Sequence, residues 1–108
     1  MANTFKSDFY RLGTTADTSI LNVPASTTSI IKSIYASNIN SLATVDFTVT
    51  MGATGTTGVY LIKTVSLPIE TAFQPVSEPI VLRENDWINA QASSAGDVHI
   101  VISYLEIT

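Results

Sequence analysis

Residues 44–65 read "TVDFTVTMGATGTTGVYLIKTV", and the two halves follow different rules. Over 44–51, Val45, Phe47, Val49 and Met51 alternate with Thr44, Asp46, Thr48 and Thr50, the period of a half-buried strand. Residues 52–58, "GATGTTG", follow with glycines at 52, 55 and 58, a permissive hairpin connection. The second half breaks the pattern. Val59, Leu61 and Val65 share a face with Lys63, yet Tyr60 and Ile62 make the opposite face apolar as well. A half-buried strand has one apolar face, so the other must be covered by something.

Working outward, the chain is a series of short strand signals divided by turn chemistry. Residues 18–23 end at Pro24, which cannot donate to a ladder. Residues 29–38 lead through "INSLA" into the alternating strand. Residues 59–67 end at Pro68, and Pro75 leaves room only for a short edge strand "AFQ" before "PIVL". "RENDW" turns into 87–92, and "SSAGD" turns into the final strand from Val98. Residues 1–14 form an N-terminal arm or edge strand, and 15–108 a single domain. About eight short strands predict an all-β antiparallel sandwich, jelly-roll-like, with an immunoglobulin-like sandwich second.

Composition narrows the function classes. The chain has 108 residues, of which only 13% are charged, against about 25% in an ordinary soluble protein. Fifteen Thr and twelve Ser supply polarity through hydroxyls, which cost less to desolvate than charges. No apolar run approaches the roughly 20 residues of a membrane helix, and residues 1–15 lack the apolar core of a secretion signal. With no cysteine, disulfides and thiolate sites are excluded. Net charge is −4, and the five basic residues are scattered, the wrong footprint for nucleic acid. No nucleic acid or membrane partner is expected.

No catalytic constellation emerges. The single histidine, His99, alternates with Val98 and Ile100, and Ser103 or Asp97, candidate partners, are strand neighbours with no distinctive spacing. Glu84 and Asp86 flank Asn85 in a turn, where Asn and Asp are favoured for backbone reasons. The glycine-rich loop lacks the lysine and helix of a phosphate cradle. The expectation is a non-enzyme without cofactor or metal.

Three strands are apolar on both faces: through Ile31 and Tyr35, through Tyr60 and Ile62, and through Val101 and Leu105. Without helices to cover them, the first reading is cover by another protein surface, and the second is a closed barrel or local corner in which both sides meet parts of the same chain. Phe5, Phe9 and Tyr10 on the opening segment, and Trp87 opposite Ile88 and Ala90, join these as expected interface residues. A ring of identical copies, a trimer or larger, would bury them. A carbohydrate-binding module, with Trp87 and a tyrosine lining a groove, is the rival of a different class.

The segments "ILNVPASTTSIIKSIYASNINSLATVDFTVT", "VYLIKTVSLP" and "IVLRENDWINAQASSAGDVHIVISYLEIT" resemble small virion structural proteins of tailed bacteriophages, notably those of marine bacteria and cyanobacteria. The likeness rests on Val23, Pro24 and Ala25, on Tyr60 and Leu61 with Lys63, and on Leu67 and Pro68. Further on it rests on Val81 and Leu82, Asn85 and Asp86, Ser93, and the closing Ser103, Tyr104, Leu105, Glu106 and Ile107. Asn85 stands where that group more often has Gly, and residues 73–79 are unusually proline-rich. The resemblance runs from about residue 20 onward. It implies a capsid decoration or cement protein, made in the host cytoplasm and located in the virion. Its partners would be further copies and another virion protein such as the major capsid protein. A neck, adaptor, tail or fibre component is the alternative.

Overall fold

The computed structural model describes residues 2–76 and 78–108, and among these there is no helix. Nine strands form: β1 (Asn3–Arg11), β2 (Thr18–Asn22), β3 (Thr28–Asn38), β4 (Val45–Gly52), β5 (Val59–Leu67), β6 (Ala72–Val76), β7 (Ile80–Leu82), β8 (Trp87–Ala92) and β9 (Val98–Ile107). One sheet has the order β1-β9-β3-β6, with β7 also on β3; the other runs β2-β8-β4-β5. All pairs are antiparallel. Because β6 and β7 both pair with β3 and flank Pro79, they act as one interrupted strand. First then pairs with last, second with next-to-last, and so inward to the β4–β5 hairpin. That nesting is the jelly roll, two Greek keys folded into a sandwich. The last strand, β9, is not at an edge, since β1 and β3 hold it from both sides.

Alternation explains the inner faces. Val45, Phe47 and Val49 of β4 are buried, as are Ile88, Ala90 and Ala92 of β8, facing Ile31, Ile34, Ala36, Val98, Ile100 and Ile102 of the first sheet. Between these rows lies the core, about 10 Å thick as in other sandwiches.

Two of the strands that look two-sided in sequence, β3 and β5, depart from strict alternation, and this answers much of the question posed by residues 59–65. The β4–β5 register shifts between Phe47 and Val49 and again between Val49 and Thr50, and Thr64 has φ 54°. These β-bulges turn the strand by one residue at each step. Val65 therefore faces buried Phe47 and Ile62 faces buried Val49. Ile62 packs on the core, contrary to its expected place at an interface. The β3–β9 register likewise shifts between Ile31 and Ser33. Ile31 is fully buried, so it too leaves the expected interface.

Turns follow their residue chemistry. Asn85 sits at φ 67°, a left-handed conformation open mainly to Gly and Asn, so Asn can stand where the resembling group more often has Gly. Buried Asn38 ends β3 and pins three segments. Its Nδ2 donates to the carbonyls of Ala43, Leu67 and Pro68 at 3.2, 3.0 and 3.2 Å, and its Oδ1 accepts from Asn40 N at 2.9 Å.

Candidate functional site

The outer face of the first sheet carries the least expected surface. Register places its residues in rows across the strands. Phe5 of β1 faces Leu105 of β9, which faces Ile30 of β3, which faces Val81 of β7. Two steps along, Phe9 faces Val101, which faces Tyr35. Ser7, Ser103 and Ser33 lie between these rows, and Arg11, His99 and Ser37 beyond them. Phe5 is 77% exposed, Phe9 75%, Val81 61%, Tyr35 44% and Val101 37%. At about 200 Å² per aromatic side chain, the three aromatics alone leave roughly 400 Å² of apolar surface in water. The aliphatic rows carry the total toward the top of the range for the largest patch on a typical monomer.

Five of the expected interface residues, Phe5, Phe9, Tyr35, Val101 and Leu105, thus meet on one face. The others do not join them. Tyr10 points to the inner side with Ile100 and packs on the core, where burial, and secondarily the charge of Asp8, raises its phenol above the ordinary value. Tyr60 is exposed on the opposite sheet, facing Thr50, with Lys63 Nζ 5.0 Å from its ring centre. Trp87 is a clasp for the hairpin loop: its Nε1 donates to Ala53 O at 3.0 Å. Its ring lies so close to Gly52 and Gly58 that a Cβ at either would collide with it. Parity had missed Ile30 and Val81, because only the β3–β7 register reveals that they continue the Phe5 row.

Elsewhere the geometry assigns structural tasks to the polar candidates. Glu84 accepts from Ser26 N at 2.7 Å and Asp86 from Arg83 N at 2.8 Å, so both carboxylates tie down turns. Asp97 accepts from Ser94 Oγ at 2.6 Å and Asn40 Nδ2 at 3.0 Å, and these bonds hold its carboxyl below the usual range. His99 Nε2 is buried without a hydrogen-bond partner. Ser103 Oγ lies 3.3 Å from Ser7 Oγ, four residues along an extended strand from the imidazole, roughly 13 Å away. Inside the sheet, the Tyr104 hydroxyl donates to Asp8 Oδ2 at 2.9 Å, and burial first, then that bond, raises its phenol well above the ordinary range.

Concavities are shallow. One of about 410 Å³ lies on the outer side of the second sheet among Thr15, Asp46, Thr48, Thr64 and Gln91. Another of about 400 Å³ lies beside Phe9, Arg11, His99 and Val101, on the apolar face itself. Trp87 lines neither.

No protein-family model and no curated protein sequence matches the chain. Among solved structures, it is similar to a protein described under "Bacillus endospore appendages form a novel family of disulfide-linked pili". The TM-score is 0.58 at 12% identity, over 99% of this chain and 87% of that one. A second alignment, to the structure of infectious bursal disease virus Gt strain, has a TM-score of 0.41 at 12% identity, over 98% of this chain and 30% of the viral one. At such identities the first likeness is one of fold: an all-β, two-sheet sandwich shared along nearly the whole chain.

Proposed function

We propose that this chain is a non-enzymatic structural subunit that docks on another protein through the outer face of the β1-β9-β3 sheet. The particle it builds on is a tailed-phage virion, with the capsid surface as its place and the neck or tail as the alternative. One observation carries the reading: two apolar rows, Phe5–Leu105–Ile30–Val81 and Phe9–Val101–Tyr35, cross adjacent strands on a face that no other strand covers among the described residues. The resemblance of residues 20–108 to phage structural proteins supplies the kind of particle.

Magnitudes say how such a face is used. Burying roughly 400 Å² at about 25 cal/mol per Å² gives about 10 kcal/mol, comparable to the cost of immobilising two bodies. One face on one partner is marginal, so assembly in many copies suits it better than a lone complex. The Bacillus neighbour belongs to disulfide-linked pili; this chain has no cysteine, so disulfides cannot link its copies.

The test is particle composition followed by face disruption. Mass spectrometry of purified particles should find this chain, with hundreds of copies for a shell role and a handful for a neck or tail role. Tyr35→Asp and Val81→Lys, both at exposed positions away from β1, should abolish rebinding to particles stripped of the protein while leaving the melting temperature unchanged. Absence from particles, or rebinding indifferent to both substitutions, would refute the reading.

A further inference from the structure

Of the four sheet edges formed by the described residues, only β1 is long and unbroken. β2 is five residues with a register shift. β5 carries two shifts, and the β6–β7 side is divided and contains Pro75. Shortness, bulges and prolines are how sheets blunt an edge against other chains. β1, by contrast, pairs with β9 over nine consecutive residues without a shift. Among the described residues no strand pairs with its other side.

The ladder shows which backbone groups that open side presents. Ala2 and Thr108 exchange both of their bonds, at 3.0 and 2.9 Å, and Leu12 N donates to Val98 O at 3.0 Å. Even-numbered residues of β1 therefore use their N–H and C=O on β9. Asn3, Phe5, Ser7, Phe9 and Arg11 direct theirs outward.

Around Ser7 the strand is complementary to its own reverse: Lys6 mirrors Asp8, and Phe5 mirrors Phe9. We infer that a second copy of this chain pairs antiparallel with β1 across a two-fold axis at Ser7, joining two five-stranded sheets into one. In this register the outward groups of five facing positions supply about ten hydrogen bonds. Phe5 faces the partner's Phe9 on the apolar side. Lys6 faces the partner's Asp8 twice, at non-hydrogen-bonded positions where opposed side chains come closest. Sliding to the neighbouring registers that keep the same bonding groups would oppose Lys6 to the partner's Lys6, or Asp8 to the partner's Asp8. Charge thereby selects the register as well as the partner. Lys6 is bonded to Glu106 at 3.0 Å, with its side chain 43% exposed.

The pairing does not depend on the virion reading and is tested on the full chain alone. Sedimentation across a concentration series should show a reversible dimer of twice 11.6 kDa. Lys6→Asp and Asp8→Lys, each alone, should weaken it about tenfold or more, since two facing pairs per dimer become like-charged. An equal mixture of the two variants should restore dimers, because the mixed pair regains opposite charges at both contacts. Ser7→Pro removes an edge N–H but no bond to β9, and should abolish dimers. Ser7→Cys, the only thiol in the chain, should crosslink to itself on oxidation, facing positions there lying about 5.5 Å apart between Cα atoms. A monomer at the highest soluble concentration, or a dimer indifferent to the charge reversals, overturns the inference. So does loss in each variant without recovery on mixing. Particle binding that persists in a chain that never pairs would leave the docking reading standing and remove this one.

Discussion

The boundary between core and docking face runs through two adjacent isoleucines, Ile30 and Ile31, and their separate truncation tests it. In a regular strand they point to opposite sides, but which side belongs to which depends on the register shift after Ile31. Ile31 is fully buried and faces Tyr104, itself 6% exposed, so Ile31→Ala opens a cavity between the sheets. Such truncations cost about 2–5 kcal/mol, and a site enclosed on all sides belongs near 3 or above. For a domain of this size, that lowers the melting temperature by roughly 12–15 °C. Ile30 is partly exposed in the outer row between Leu105 and Val81. Ile30→Ala leaves no enclosed void and should cost less than about 1 kcal/mol. Urea titration of both variants, with the slope checked for constancy, gives the two values directly. Comparable losses, or a larger loss at Ile30, would mean that the bulge is misplaced and the apolar rows are assigned to the wrong side.

Asn38→Ala removes the donors serving the carbonyls of Ala43, Leu67 and Pro68 and the acceptor for Asn40 N, and should cost about 2–4 kcal/mol in chemical denaturation. Gly58→Ala puts a methyl into the Trp87 ring, and should destabilise by about 1–3 kcal/mol with a change in tryptophan emission as the ring is displaced. Asp97 has a depressed folded pKa, so its contribution is present above its unfolded value near 3.8 and is lost as pH falls through the folded one. Acid unfolding curves of Asp97→Asn should accordingly lack part of the wild-type dependence below about pH 4. Tyr104 has a raised folded pKa, so its contribution is complete below its unfolded value near 10.0 and declines as pH rises beyond it. Tyr104→Phe should flatten the alkaline limb of stability.

What the sequence disclosed was whatever depends on local period. β4 and β8 alternate cleanly, and Val45, Phe47, Ile88 and Ala90 lie where period 2 puts them. The proline and Asn/Asp turn signals cut the strands near their observed ends. The failures share a cause: they depend on a partner strand far away in sequence. Nothing in "SIIKSIY" announces a shift after Ile31, which exists only in relation to β9. Nothing in "VYLIKTV" marks Thr64 as left-handed, since Thr is not a residue that usually takes that conformation. The apparent two-sidedness of β5 was thus in part a bulged strand that brings Ile62 and Val65 onto the core, while Val59 and Tyr60 stay exposed. On β9 the same signal was genuine, because that strand runs against β1 in unbroken register and shows Val101 and Leu105 outward. The clasp formed by Trp87 on Gly52 and Gly58 could not be read from parity, which counts faces and ignores the loop that folds over them.

The two outer faces of the sandwich differ in kind, and this gives the edge pairing a consequence for docking. The second sheet shows mainly Asp46, Thr48, Thr50, Asn89 and Gln91 on its outer side, hydroxyl, amide and carboxylate groups that water satisfies, with the exposed Tyr60 ring beside Thr50. The first sheet shows the apolar rows. Antiparallel pairing through β1 in the proposed register keeps odd residues opposite odd, so the two apolar faces lie side by side on one surface and both hydrated faces on the other. Docking of such a pair is bivalent. Once one face has bound, the second meets its site at a high effective concentration, and avidity can exceed single-face affinity by about 10²–10⁴ where the site spacing matches. A face too small to hold one copy by a wide margin then holds two. The same arithmetic predicts that Ser7→Pro, which leaves each apolar face intact, weakens attachment to a repeating surface far more than attachment to a single immobilised site. Equal losses on both surfaces would show that the pair contributes nothing to docking.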